Sequence, residues 1–456
     1  MTSWFPRITL HSLVVAISML IYVLTTRAEN ERRPPSIAIA WVLGMFALPY
    51  LALPMYILFG RRKLPRRVLR TAAELCHNEH WAEDLIESFG LAPSAPSSVR
   101  LHRDGEESAA ALFEAISGAA RRLDVCTYIL GDDAFGRETM QRMIERARRG
   151  VEVRFLIDGV GALQLPRSCF SQLNAAGIET ATFSPLLARR TQGPRNLRNH
   201  RKMVVADGGQ LWAGGRNLAA EYFGGRDGQP PWRDLSFDLQ GEVAAAAAAQ
   251  FEADWVAAGG KPAEQRGEPD VASAHRAAGG RAQFMPSGPD QAEDTVHALL
   301  IDACFHVRER MLAVTPYFVP DASLETAMRL AARRGVKIDL FIPAVSNHRL
   351  ADFARNRALR SLCNAGVSIH LLPYMNHAKG AVFDRSLALC GSVNLDSRSL
   401  LLNYECAVVF YGEREIEWLA SWIQGLLPDA TPFDGRAPGF ARDIAEGLLL
   451  TVAYQL

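Results

Sequence analysis

Two sets of five residues stand in the same order in this chain: His200, Lys202, Asp207, Gly214 and Asn217, then His377, Lys379, Asp384, Gly391 and Asn394. Each member of the second set lies 177 positions beyond its partner in the first (377 − 200, and likewise for the other four). A register kept across five reactive or turn-forming residues marks a duplicated half-site. Histidine has an unperturbed pKa of about 6.5, so of two imidazoles brought together one can attack while the other gives up a proton. Two lysines, with the amides of Asn217 and Asn394 and the hydroxyl of Ser392, can balance the extra negative charge on a five-coordinate phosphorus. The chemistry suggested is phosphodiester cleavage through a phosphohistidine, run without a metal or other cofactor.

Such groups act only if the backbone aims them. In an extended strand residues i and i+2 share a face, so His200 and Lys202 emerge together, as do His377 and Lys379. The apolar residues that follow, Met203 to Val205 and Ala381 to Phe383, predict strands buried in a sheet. Asp207 and Asp384, seven residues beyond their histidines, fall at strand ends, where structural hydrogen bonding suits them better than acid–base work. The turns Gly-Gly-Arg-Asn and Gly-Ser-Val-Asn then bring Asn217 and Asn394 back towards the centre.

Alternating strand-like and helix-like patterns surround the motifs. Leu123 to Leu130 and Val151 to Ile157 read as strands and Glu138 to Arg149 as a helix. The second half repeats the order: Thr127 to Asp133 (TYILGDD) parallels Thr315 to Asp321 (TPYFVPD), and Ala-Arg-Arg-Gly-Val at 147–151 recurs at 332–336. The expected organisation is a membrane anchor over 1–70, a leading segment over 71–95, an α/β half over 96–265, a linker over 266–281, a second α/β half over 282–430 and a tail over 431–456. Gly259 to Gly280, rich in Gly, Pro and Ala, has linker composition. The apolar end of the tail is too short to span a bilayer, so a docked helix is expected there.

Charge is nearly balanced, with 50 basic and 49 acidic residues, so no global field speaks for nucleic acid. The seven cysteines form no Cys-x-x-Cys pair and read as reduced, buried small hydrophobes. One difference separates the halves: Gly177 precedes His200 by 23 residues, whereas Gly366 precedes His377 by 11. The extra residues hold Arg189, Arg190, Arg195 and Arg198, which predicts a basic loop over the site that meets a second phosphate.

At the N-terminus, Ile8 to Thr26 carries no charge, and after a polar hairpin (27–34) a second uncharged run extends from Pro35 to Gly60. A hydrocarbon core needs roughly 20 helical residues, so two transmembrane helices are expected, with Pro49 and Pro54 kinking the second. Arg61, Arg62, Lys63, Arg66, Arg67 and Arg70 follow directly, and the positive-inside rule then keeps the remaining chain on the cytoplasmic side of the membrane.

The two H-x-K-x4-D strings resemble those of the phospholipase D superfamily. The stretches Leu58 to Arg62, Asn196 to Lys202, Thr315 to Asp321 and Gly391 to Ser399 are similar to the bacterial cardiolipin synthases within it. The resemblance implies two phospholipase D-like α/β halves related by internal duplication behind two transmembrane helices. It also implies a phosphatidyltransferase that joins two phosphatidylglycerols into cardiolipin and glycerol. His200 would be the nucleophile, His377 the acid and then the base, and Lys202, Lys379, Asn217 and Asn394 the phosphate grip. Glu405, eleven residues after Asn394, would orient a histidine, with Asp238 as its first-half counterpart. The expected partners are anionic phospholipids and the membrane, not nucleic acid. The rival readings are a hydrolase that uses water, a transferase that uses another alcohol such as ethanolamine, and an inactive membrane scaffold.

Overall fold

The computed structural model describes residues 10–29, 35–60, 80–185, 196–262 and 280–450. The hairpin over 30–34, the basic run over 61–70, Arg189, Arg190, Arg195, Cys76, most of the linker and the last six residues lie outside the described residues.

In the first half the strands are β1 (Ala95–His102), β2 (Arg122–Thr127), β3 (Glu152–Asp158), β4 (Glu179–Phe183), β5 (Met203–Ala206), β6 (Gln210–Gly214) and β7 (Ser236–Gln240). In the second they are β8 (Gly280–Ser287), β9 (Arg310–Val314), β10 (Phe318–Val319), β11 (Lys337–Pro343), β12 (Ser368–Leu372), β13 (Gly380–Phe383), β14 (Leu387–Gly391), β15 (Leu395–Asp396), β16 (Glu405–Phe410) and β17 (Thr431–Pro432). Fifteen of them form one sheet, ordered 17-12-11-9-13-14-16-8-1-7-6-5-2-3-4. Read outwards from the antiparallel β1–β8 pair, the first half runs 1-7-6-5-2-3-4 and the second 8-16-14-13-9-11-12, so the halves match strand for strand.

Both faces of the sheet are covered, which is why β5, β13, β14 and β16 are buried along their whole length instead of alternating. The helices Glu242–Ala257 and Glu413–Gln424 pack on one face, in an apolar cluster drawn from both halves that includes Leu235, Phe237, Val382, Val408 and Phe410. Phe237 and Phe410 meet edge to face at 5.6 Å across the junction. Each half has its own helical layer on the other face.

The duplicated strings end on helix caps. Asp133 Oδ1 accepts from Gly136 N, and Asp321 accepts from Ser323 N and Leu324 N. The cap at Asp133 starts its helix at Ala134, four residues before the expected Glu138. Asp207 and Asp384 have matched roles. Both sit in the left-handed region (φ 51° and 50°) at the β5–β6 and β13–β14 turns. The Asp207 carboxylate accepts from the backbone N–H groups of Ala120, Arg121 and Arg122, and Asp384 from those of Arg308, Glu309 and Arg310, at 2.7–2.8 Å. Seven residues of largely extended chain, about 20 Å at roughly 3.3 Å per residue, separate each from its histidine. They clamp the far end of the sheet.

At the N-terminus the structure has three helices where the two apolar runs predict two. The first run forms a helix over Leu10–Glu29, but the second breaks at Leu48 into helices Pro35–Ala47 and Pro49–Phe59 of 13 and 11 residues, each short of a bilayer's thickness. The imino group of Pro49 cannot donate into the preceding turn, so the helix restarts there. Among the described residues no helix is long and apolar enough to cross a membrane. These three helices pack inside out: Tyr22, Met45, Ala52 and Tyr56 are buried among them, while Leu10, Leu20, Leu24, Leu43, Phe46 and Leu51 face outwards. At the far end of the chain, the helix Phe440–Leu450 docks through Arg360, which pairs with Glu446 at 2.5 Å and Asp443 at 3.4 Å.

Candidate active site

Both histidines stand just before a central strand, His200 ahead of β5 and His377 ahead of β13, and each is stitched to the opposite half. The His200 N–H donates to the Tyr404 carbonyl (2.8 Å), and the Tyr404 N–H to that of Arg198 (2.9 Å). The His377 N–H likewise donates to the Arg233 carbonyl (2.6 Å), and the Arg233 N–H to that of Met375 (3.2 Å). The residues following these bridges, Glu405 and Asp234, are thereby carried to the histidine of the other half. His200 Nδ1 lies 2.9 Å from Glu405 Oε1, and His377 Nδ1 2.7 Å from Asp234 Oδ2.

Asp234, and not Asp238, is therefore the counterpart of Glu405. Asp238 lies four residues further along β7, where its Oδ1 binds Arg100 Nε (2.9 Å) and His102 Nε2 (2.6 Å). Ladder register, not sequence offset, identifies the equivalent: Gly215 N donates to the Leu235 carbonyl as Ser392 N does to that of Cys406. The same register explains the departure at Gly215. A Cβ there would come within 2.2 Å of Asp234 Oδ1.

In the second half the longer Glu405 leaves room for Ser392, whose hydroxyl donates to Glu405 Oε2 while accepting from Cys406 N (3.0 Å). The Ser392 hydroxyl, expected to touch phosphate, is thus taken up in fixing the carboxylate. Ser399 Oγ adds a second donor to Glu405 at 2.8 Å. Asn217 and Asn394 occupy matching places: Asn217 Nδ2 donates to Tyr222 Oη (2.8 Å) and Asn394 Nδ2 to Ser399 Oγ (3.1 Å), while the buried Oδ1 of each has no hydrogen-bond partner among the described residues.

Lys202 Nζ donates to the His200 carbonyl (2.7 Å) and Lys379 Nζ to that of His377. Lys379 Nζ also lies 3.0 Å from His377 Nε2. Burial pushes the His200 pKa down to about 4 against the opposing pull of Glu405, and Lys202, then Lys379 across the site, lower it further. Burial and then Lys379 bring His377 to about 3. Burial likewise lowers Lys202 to about 8 and Lys379 to about 7. Burial works against charge on Glu405 and Asp234 too, but His200 for the one, and Lys379 with His377 for the other, hold both carboxylates below their usual range. At neutral pH each imidazole is neutral, gives its Nδ1 proton to a carboxylate, and keeps a lone pair on Nε2. Aromatic rings wall the pair: Tyr128 meets His200 edge to face at 5.0 Å, and Tyr222 and Trp232 lie 5.1 and 5.9 Å from His377.

Besides Asp234, the sequence reading missed Arg201. Its buried guanidinium donates to the Glu405 carbonyl (2.9 Å), to Asp254, to Asp290 (2.9 Å) and to the Ser287 carbonyl (3.2 Å), tying the His200 strand to the other half. Its counterpart is Ala378, so the repeat gave no sign of it. Of the basic insertion, Arg198 is described: it is buried, and its guanidinium meets Asp158 Oδ1 (3.3 Å) and Ser184 Oγ (2.7 Å).

Residues 112–255 and 300–427 match the family profile described as cardiolipin synthase, phospholipase D-like domain, and residues 14–61 match one described as phospholipase D-nuclease N-terminal. Cardiolipin synthase A of Pseudomonas aeruginosa is 33% identical to the chain over 455 residues, covering 93% of this chain and 92% of that protein. A cardiolipin synthase of Geobacillus thermodenitrificans is 30% identical over 88% of this chain and 84% of its own. In fold, the chain is similar to the crystal structure of the phosphatidylserine synthase of Haemophilus influenzae, with a TM-score of 0.61 and 14% identity over 82% of this chain and all of that one. The duplicated halves, the His–Lys sets they bring together and these relatives agree: the chain belongs to the phospholipase D-like cardiolipin synthase family.

Proposed function

We infer that the protein is a cardiolipin synthase, moving a phosphatidyl group from one phosphatidylglycerol to another. The observation that carries this reading is the crossed pairing, His200 with Glu405 and His377 with Asp234, beside two buried lysines. His200 Nε2 attacks the donor phosphorus, and the bond to the glycerol oxygen breaks as a proton passes to glycerol. His377 supplies that proton once the anionic substrate has raised its pKa. Both lysine ammoniums engage the carbonyl of their own histidine, but Lys379 Nζ also lies against the His377 ring, 2.7 Å from Nδ1 and 3.0 Å from Nε2, and this nearby proton source favours His377 as the acid and His200 as the nucleophile. A hydroxyl of the second phosphatidylglycerol, deprotonated by His377, then attacks the phosphohistidine, giving cardiolipin and restoring His200.

One phosphodiester is exchanged for another, so no nucleotide is consumed. Lys202, Lys379 and the second N–H of the Asn217 and Asn394 amides neutralise the phosphoryl oxygens. Asp207 and Asp384 take no part beyond holding the sheet. The aromatic walls and burial keep water from the intermediate.

The inside-out packing of the N-terminal helices supports insertion in a bilayer. Apolar side chains face outwards while hydroxyls pair inwards, as between Thr25 Oγ1 and Tyr56 Oη at 2.6 Å. In this reading Leu10–Glu29 makes one passage and the kinked pair Pro35–Ala47 and Pro49–Phe59 the other, with the catalytic halves cytoplasmic. Purified protein given labelled phosphatidylglycerol should release cardiolipin and glycerol in equal amounts. Phosphatidic acid as the sole product would overturn the reading in favour of hydrolysis.

A further inference from the structure

The two halves differ in charge beside the site. The loop Asn394–Ser399 reads Asn-Leu-Asp-Ser-Arg-Ser and its counterpart Asn217–Tyr222 reads Asn-Leu-Ala-Ala-Glu-Tyr, so Arg398 stands where the first half has Glu221. Arg198 answers to Met375, and Asn196 to Pro373. Two cations therefore gather on one side of a site that is otherwise doubled.

Their surroundings are those of an incomplete binding site. Arg398 is half-buried, its Nη2 donates to the Asn196 carbonyl (2.8 Å), and it makes no ion pair with a described residue. Burial lowers its pKa, with Asp396, Tyr128 and Asp158 acting on it at longer range and Arg198 opposing them. Both of those carboxyls have work of their own. Asp158 binds Val160 N and Asn199 N besides Arg198, and Asp396 caps a helix through Ser399 N. Burial lifts each to about 6, so they hold their charge weakly. Asn196 is only 8% exposed, yet neither end of its side-chain amide has a partner among the described residues. A buried amide and a guanidinium that find no such partners among the described residues are costly unless a ligand completes them. Tyr128 joins this corner to the centre, because its ring packs on His200.

We propose that Arg198, Arg398 and the Asn196 amide form a subsite for a second phosphodiester beside the reacting one: the acceptor lipid's own phosphate. This rests on the phosphatidyl-transfer reading. An acceptor phosphatidylglycerol carries its phosphate three carbons from the attacking hydroxyl, whereas water and simple alcohols carry none. One such subsite serves a reaction in which a single anionic acceptor must be told from water. Guanidinium suits a phosphodiester because its forked donors match two oxygens.

Partitioning of the covalent intermediate tests this independently of the donor step. Phosphatidylglycerol vesicles with a fixed amount of 1-butanol give cardiolipin and phosphatidylbutanol from the same intermediate. Arg398→Gln should lower the ratio of cardiolipin to phosphatidylbutanol roughly ten- to hundredfold, and Arg398→Lys by less. An unchanged ratio overturns the proposal, whether total turnover falls or not, since the pair would then serve the shared phosphate or neither. A second measurement needs no variant. Wild-type protein should use glycerol 3-phosphate as acceptor in preference to glycerol, and inorganic phosphate should erode that preference; equal use of the two also overturns the proposal. Absence of cardiolipin from the wild-type protein would instead overturn the transfer reading.

Discussion

An imidazole whose Nδ1 proton is held by a buried carboxylate has its tautomer chosen for it, and Asp234 and Glu405 make that choice for the two histidines. Asp234→Asn should cost on the order of 10³-fold in kcat by releasing the tautomer of His377, whereas Asp238→Asn should leave kcat within a few-fold. Steady-state rates of the two variants decide the point, and equal losses would restore Asp238 to the site. The pH profile follows from the lysines. Lys379 at about 7 and Lys202 at about 8 lose their charge as pH rises, so kcat/KM should fall above about pH 7. Bound phosphate stabilises the ammonium forms and raises both pKa values, so kcat should persist to higher pH. On the acid side His200 stays neutral down to about pH 4, whereas His377 must gain a proton to act as the acid, so kcat/KM should climb as pH falls from about 7 towards 4 and drop below it. A kcat/KM that stays level to pH 9 would contradict these assignments. The His, Lys and Asn positions were legible because chemistry fixes both their types and their spacing. Asp234 was not, because between Asn217 and Asp234 the first half carries six more residues than the second does between Asn394 and Glu405, and the constant offset fails there.

At the scale of elements, the duplicated turns explain why the H-x-K-x4-D string is kept whole although its aspartate is remote from the histidine. Each aspartate gathers three successive backbone donors and occupies a left-handed turn, which few residues but Asp, Asn and Gly adopt readily. Asp207→Ala should lower stability by about 1–3 kcal/mol and leave kcat of the folded fraction unchanged, a split that melting curves and active-site titration separate. Gly215→Ala should do the opposite. Its Cβ would displace Asp234, so activity should fall well before stability does. Alternation in the sequence placed strands and helices within a few residues. The break at Leu48 was harder to see, since Pro49 and Pro54 read equally well as kinks in one long helix.

For the whole molecule, the crossed pairing means that neither half holds a complete catalytic set: each histidine depends on a carboxylate from the opposite half. The sheet enforces this through the β1–β8 pair, the bridges at Tyr404 and Arg233, and the Arg201 network. An apolar cluster drawn from both halves closes one face, so a half alone would expose Phe237, Leu239, Val408 and Phe410 to water. The repeat made two halves legible, but strand order decides which residues meet, and no offset in the sequence encodes that. Cutting the chain between Pro262 and Gly280 should therefore give two fragments that are each inactive and aggregation-prone when made alone. Made together they should co-purify and recover transfer activity, because every contact named above reforms between separate chains. Combining a first fragment carrying Asp234→Asn with an intact second fragment should reproduce the defect of the full-length variant. Full activity in that mixture would mean that His377 takes its orientation from within its own half.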